Sequence, residues 1–109
     1  MKFKKLSVDF RQVNTLDEMH DVLAKVFDFP VFYGKNINAL IDCWSSLRFP
    51  EDEMSGITVG KDELVLLEVK GMHHLDQIMM NHLIIAVEDV NKRSMEKIEQ
   101  QPLILLLPV

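Results

Sequence analysis

The segments Leu64-Val65-Leu66-Leu67 and Leu103-Ile104-Leu105-Leu106-Leu107 are apolar without alternation. A strand with one face in water alternates apolar and polar residues. A strand that does not alternate reads as buried on both faces, the pattern of parallel sheets. The last of these runs, like Leu83-Ile84-Ile85-Ala86-Val87, is far too short to cross a bilayer. Parallel strands cannot be joined by a hairpin, so a crossover, usually helical and right-handed, must connect them. These two runs therefore commit the chain to an α/β architecture. Lys2 to Phe10, with Phe3, Leu6, Val8 and Phe10 apolar, reads as a further strand.

The connecting segments carry helical signals. Thr15-Leu16-Asp17-Glu18 matches a capping box, and Leu16, Met19, Leu23, Val26 and Phe27 then recur at helical spacing. Asp28-Phe29-Pro30 ends this helix, because the residue before a proline avoids the α region. A second helix runs from about Asn36, as N-cap, to Leu47. Ile37, Leu40, Ile41, Trp44 and Leu47 form its apolar stripe, and Asn38, Asp42 and Ser45 share the opposite, exposed side. Phe49 to Asp62 is polar and broken by Pro50, Gly56 and Gly60, with a short extended piece expected at Ile57-Thr58-Val59. Leu75 to Glu99 reads as two helices with a break near Asn81-His82, stopped by Gln100-Gln101-Pro102. The expected order is βααβααβ: a three-stranded parallel sheet from residues near 2–10, 63–70 and 102–108, packed by about four helices. No repeat or linker divides the chain, so one domain over residues 1–109 is expected.

The net charge of −5 argues against direct binding of nucleic acid, which needs clustered Lys and Arg. It suits a basic partner, or solubility alone. The single cysteine, Cys43, forms no internal disulfide and points to a reducing compartment. No apolar stretch follows the basic start Met1-Lys2-Phe3-Lys4-Lys5, so it does not read as a signal peptide. A cytoplasmic location without membrane attachment is expected.

Catalytic and cofactor patterns are absent. There is no GxGxxG, Walker A, CxxC or HExxH sequence, and no cofactor or metal is expected. His73, His74, Asp76 and His82 read as a solvated cluster at a helix start. His20, between Asp17 and Asp21, reads as a surface residue. Cys43, beside the apolar stripe, reads as buried and inert. Glu51-Asp52-Glu53 reads as a solvated edge.

One segment looks purpose-built. In Phe32-Tyr33-Gly34-Lys35-Asn36-Ile37-Asn38-Ala39-Leu40-Ile41-Asp42-Cys43-Trp44, a loop with an aromatic pair and a glycine leads into a capped helix. The glycine lets the loop backbone approach another surface. An aromatic knob beside a carboxylate on a rigid helix is the composition of a protein-binding hot spot. Packing of Phe32 and Tyr33 over the end of the first helix explains the aromatic pair equally well.

The pattern Tyr33-Gly34-x-Asn36-x-x-Ala39-Leu40-x-Asp42-Cys43 resembles the central motif of the barstar family, and the Phe29-Pro30 lead-in and order of elements agree with it along most of the chain. The resemblance implies a cytoplasmic inhibitor that protects its maker from a secreted ribonuclease, with the loop and second helix plugging the ribonuclease active site. It assigns partner binding to Phe32, Tyr33, Gly34, Asn36, Asn38, Asp42 and Ser45. Asp42 takes the place of the family's anchoring acid and Ser45 that of a threonine. Asn38 stands where the family has a second acid, Lys35 where it has Glu, Phe32 where it has Tyr, and Ile41 and Leu47 where it has Trp. The face is less acidic as a result. The extra segment from Pro50 to Glu63 holds five acids against Lys61 and offers a replacement negative rim. Glu96 is the candidate for the family's late acidic contact.

Two functions remain open at this level. One is an immunity protein against an extracellular-type ribonuclease. The other is a binding module of the same build whose partner is another toxin or a regulatory protein. A small enzyme has only the weak His and Cys signals.

Overall fold

A computed structural model describes residues 2–97 and 101–109. The elements are β1 (Lys2–Asp9), α1 (Leu16–Phe27), α2 (Ile37–Ser45), β2 (Glu63–Lys70), α3 (Gln77–Lys97) and β3 (Ile104–Pro108). Two 3-10 turns, Pro50–Asp52 and Met72–His74, precede β2 and α3. The strands form one parallel sheet in the order β1-β2-β3, with Leu6 opposite Leu67 and Leu67 opposite Leu106. The expected α/β class, strand positions and parallel pairing are all present.

Strand order 1-2-3 with right-handed crossovers puts every helix on one side of the sheet. Val8, Val65, Leu67, Val69 and Ile104 are buried on that side. The other side is partly open, with Phe3, Leu105 and Leu107 exposed. The unalternating pattern of β2 thus reflects a central strand walled by its neighbours rather than helices on both faces.

The capping box of α1 forms with a variation. Thr15 Oγ1 accepts from the Glu18 N–H, while Glu18 Oε1 accepts from the Asn14 N–H and the Thr15 hydroxyl. Asp28 ends the helix in the left-handed region, at φ 53°. Trp44 is wholly buried, its ring 5.6 Å edge-on from Phe27. Burial of this stripe, more than intrinsic propensity, holds so short a helix as α2.

Two expectations for the rest of the chain fail. The segment Ile57-Thr58-Val59 makes no strand; Val59 is anchored singly by its N–H to Leu47 O. α3 is one continuous helix through Asn81 and His82, so three helices pack the sheet instead of four. Gln77 Nε2 donates to Asn81 Oδ1 and His82 finds a tertiary partner, so these polar residues sit in the helix without breaking it. The expected helix end at Glu99 and Gln100 lies outside the described residues.

Asn91 of α3 closes against the free edge of β3. Its Nδ2 donates to Ile104 O, and its Oδ1 accepts from the Leu103 and Ile104 N–H groups.

Candidate functional site

The candidate face begins where α1 ends. Tyr33 N–H donates to Pro30 O, forming a turn that leaves Val31 and Phe32 in solvent, Phe32 at 73% exposure. Tyr33 does not join Phe32 in an exposed patch. Its ring centroid lies 4.8 Å from Phe29 and 5.6 Å from His20, and its hydroxyl meets His20 Nδ1 at 2.6 Å. Tyr33 therefore braces the loop from below.

His20 is likewise not a surface residue. It is 1% exposed, and its Nε2 stands 2.9 Å from His82 Nε2. Burial pushes His20 down to about 4, the neighbouring His82 adds to this, and Asp17 and Asp21 oppose it. Burial also lowers His82 and raises the Tyr33 hydroxyl. The sequence gives no sign of this chain of contacts, since its members come from three separate segments.

The backbone then turns into α2. The left-handed residue is Lys35, at φ 51°, rather than Gly34. Lys35 Nζ is held 2.6 Å from Asp21 Oδ1, so its charge is tied back to α1. Asn36 caps the helix: its Oδ1 accepts from the Ala39 N–H at 2.8 Å and its Nδ2 donates to Gly34 O. A Cβ on Gly34 would press on the capping amide at 3.2 Å, which gives the glycine its local reason.

Along α2, Asn38 and Asp42 are exposed as expected, and Ser45 is not. Asp42 Oδ1 lies 3.4 Å from Arg93 Nη1 on α3. The Ser45 hydroxyl is buried between α2 and α3 without a hydrogen-bond partner among the described residues. Cys43 is buried as expected, and burial, with Asp42 second, pushes its thiol up to about 11.

The segment after α2 folds back beside it. The Gly56 N–H donates to Asp28 O and the Ser55 hydroxyl to Phe27 O. Met54 thereby enters an open cleft with Phe32, Gly34, Ala39, Asp42 and Cys43. The acids Glu51, Asp52 and Glu53, which directly precede Met54 in sequence, are exposed. Glu96 does not face α2. It lies with Glu88, Asn91 and Lys92 on another side of α3, and the α3 residue that meets Asp42 is the cation Arg93. Nothing local in the sequence signals that contact, because the two positions are 51 residues apart.

His73 and His74 are exposed on a turn, and the Asp76 side chain accepts from the Met79 N–H at the start of α3. Among the described residues, no three His, Cys, Asp or Glu side chains converge as metal ligands.

The face is thus a rigid, capped helix with an outward acid, an exposed aromatic on the preceding loop and an apolar cleft between them. Its open cleft has the shape to seat a protuberance of another molecule. A protein of Bacillus subtilis (strain 168) that bears the name "Putative ribonuclease inhibitor YrdF" is 40% identical to this chain over 40 residues. That match spans 37% of this chain and 44% of the relative, so the chain covers under half of that relative's length. The model of the family described as "Barstar (barnase inhibitor)" matches residues 3–104, taking in nearly all of β1, the three helices, β2, the start of β3 and the whole candidate face. With that match over nearly its full length, the chain belongs to the barstar family.

Proposed function

We propose that this chain is a non-catalytic inhibitor of an extracellular-type ribonuclease, acting in the cytoplasm as a single domain over residues 1–109. Phe32, Gly34, Asn36, Asn38 and Asp42 form the contact ridge, with Tyr33 and Ser45 supporting it from beneath. One observation carries this reading: Asp42 projects, exposed, from a capped helix beside an open cleft rimmed by Phe32 and Met54. A carboxylate so placed is suited to the cationic active site of an enzyme that binds phosphates. Family membership and the name of the Bacillus subtilis relative support the same partner class. Among the described residues, no helix is long and apolar enough to cross a membrane.

Titration of a purified basic ribonuclease with the protein tests the reading. Stoichiometric loss of RNA cleavage, abolished by Asp42→Ala, is the expected result. Full cleavage activity at saturating protein would refute it.

A second reading has its own support. Lys35 and Arg93 place cations beside the acids of this face, each in an ion pair within the protein. A face so balanced fits a partner of mixed charge, whether a different toxin or a regulatory protein.

A further inference from the structure

The cleft beside Asp42 has three walls, and each is fixed by bonds of its own. The loop wall, with Pro30, Phe32 and Tyr33, is closed by the Tyr33 N–H to Pro30 O bond. The helix wall, with Ala39 and Asp42, belongs to α2 and its Asn36 cap. The third wall is Met54. The residues just after it are tied to the end of α1, the Ser55 hydroxyl to Phe27 O and the Gly56 N–H to Asp28 O. Ser55 Oγ also accepts from the Ile57 N–H, which closes the turn. The cleft is therefore formed before any partner arrives. Its lining is largely apolar, with Asp42 as the one charged member. Phe32 stands exposed at its mouth, and Met54 is only partly buried.

We infer that this cleft receives one aromatic side chain of the partner protein, flanked on the partner by a cation that meets Asp42. The inference rests on the reading of α2 as the binding face. Size, lining and charge together select the occupant. The cleft holds about 140 Å³, and an apolar cavity of roughly 150 Å³ takes up one benzene ring. Two rings and a thioether stand in the lining, groups that favour a further ring over an aliphatic chain. Asp42 is exposed and pairs, among the described residues, with Arg93 alone at 3.4 Å. A partner cation therefore reaches it from solvent without entering the cleft, and the apolar walls are left for an apolar group. An acidic side chain would find no cation in the lining to meet it. A second copy of this chain has an exposed Phe32 of suitable chemistry. Its docking, however, would join two molecules of net charge −5 through faces that each carry Asp42. A foreign ring beside a cation is free of that repulsion, and a ring seated in a preformed pocket is the build of an interface anchor.

The test uses the full chain with methyl-labelled methionine and alanine, and follows the Met54 and Ala39 methyl signals by NMR. The probes are benzylamine, benzyl alcohol and n-propylguanidine, each titrated over the millimolar range at constant ionic strength. Benzylamine should shift both methyls saturably. Benzyl alcohol should bind about threefold more weakly, the order of one exposed ion pair, and Asp42→Asn should bring benzylamine down to the same level. Met54→Ala should weaken both rings, and Ala39→Leu should fill the cleft and abolish their binding. Absence of saturation would overturn the inference. Tighter binding of n-propylguanidine than of benzylamine would overturn it too, making the occupant an extended cationic side chain. Shifts that grow with protein concentration alone, and vanish in Phe32→Ala, would give the cleft to a second copy instead. A parallel titration of a basic ribonuclease separates this inference from the functional reading. Inhibition that needs Asp42 but is unchanged in folded Met54→Ala and Ala39→Leu would sink the aromatic anchor alone. Ring binding without any inhibition would sink the ribonuclease reading and leave the anchor site standing for another partner.

Discussion

The Nε2 atoms of His20 and His82 face each other at 2.9 Å across 62 residues of sequence, and Nδ1 of His20 meets the Tyr33 hydroxyl on its other side. Two imidazoles in this arrangement share a single proton along the Nε2–Nε2 line. Charging both rings would bring two N–H groups together, in a place where burial already disfavours charge.

Stability should therefore depend on pH. The folded-state His20 lies at about 4 and the free imidazole near 6.5, so the unfolded chain binds more protons between those values. Stability is then fully present above about 6.5 and falls as pH drops towards 4, by up to about 3 kcal/mol. Asp17, Asp21, Lys35 and His82 set the field around the ring. Urea unfolding at neutral and at mildly acidic pH measures this, and His20→Gln should flatten the dependence.

Tyr33→Phe removes a hydroxyl that serves the interior. The loss strands His20 Nδ1 and should cost about 1–3 kcal/mol of stability. Partner affinity at neutral pH should change little, because the hydroxyl faces His20. A large affinity loss with unchanged unfolding midpoint would place the hydroxyl at the interface instead.

Trp44→Ala should cost roughly 3–5 kcal/mol, as for other wholly buried aromatics. It empties the space against Phe27 and leaves the stripe of α2 without its largest member. Chemical denaturation of the pure variant gives the figure.

Cys43 should be modified slowly by thiol reagents in the folded protein and rapidly in urea, since burial holds its thiol up at about 11 and disfavours the thiolate. Fast native-state modification would mean that the cleft opens to the thiol.

Asp42→Ala should weaken partner binding by roughly 30-fold or more, with little change in stability, because its pair with Arg93 is exposed. Lys35→Glu should speed association with a basic partner at low salt by adding negative field to the face. It also sets two acids against each other at Asp21, so its stability should fall slightly. Surface binding at two ionic strengths reads both effects. Slower association of Lys35→Glu would identify an acidic target surface.

The elements that the sequence made legible are those defined by one segment's own pattern. The unalternating runs in β2 and β3, the stripe from Ile37 to Leu47 and the caps at Thr15 and Asn36 all depend on near neighbours. The misread positions depend on distant ones. Ser45 lies on the outward side of α2 taken alone, and α3 covers it. His20 sits among acids in sequence and is sealed by Tyr33 and His82. The polar pair Asn81-His82 looks like a break because its partners, Gln77 and His20, appear only once helix and tertiary structure have formed. The exposed half of the candidate site, Phe32, Asn38 and Asp42, was legible for the same reason as the strands: its exposure follows from helix geometry and loop chemistry.

The clamp of Asn91 on Leu103 and Ile104 bears on how this sheet ends. In a parallel ladder alternate residues turn their backbone groups to one neighbour. Leu103 O and the Val109 N–H point to β2, so Ile104, Leu106 and Pro108 face outward. Ile104 is occupied by Asn91, and Pro108 has no N–H to give. Leu106 alone offers both groups, too short a template to recruit another chain's strand. On the opposite margin β1 carries Lys2 and Lys4, the charged guard common on exposed strand edges. A carboxamide thus stands in for a fourth strand, and a very apolar terminal ribbon is kept from growing by self-templated addition.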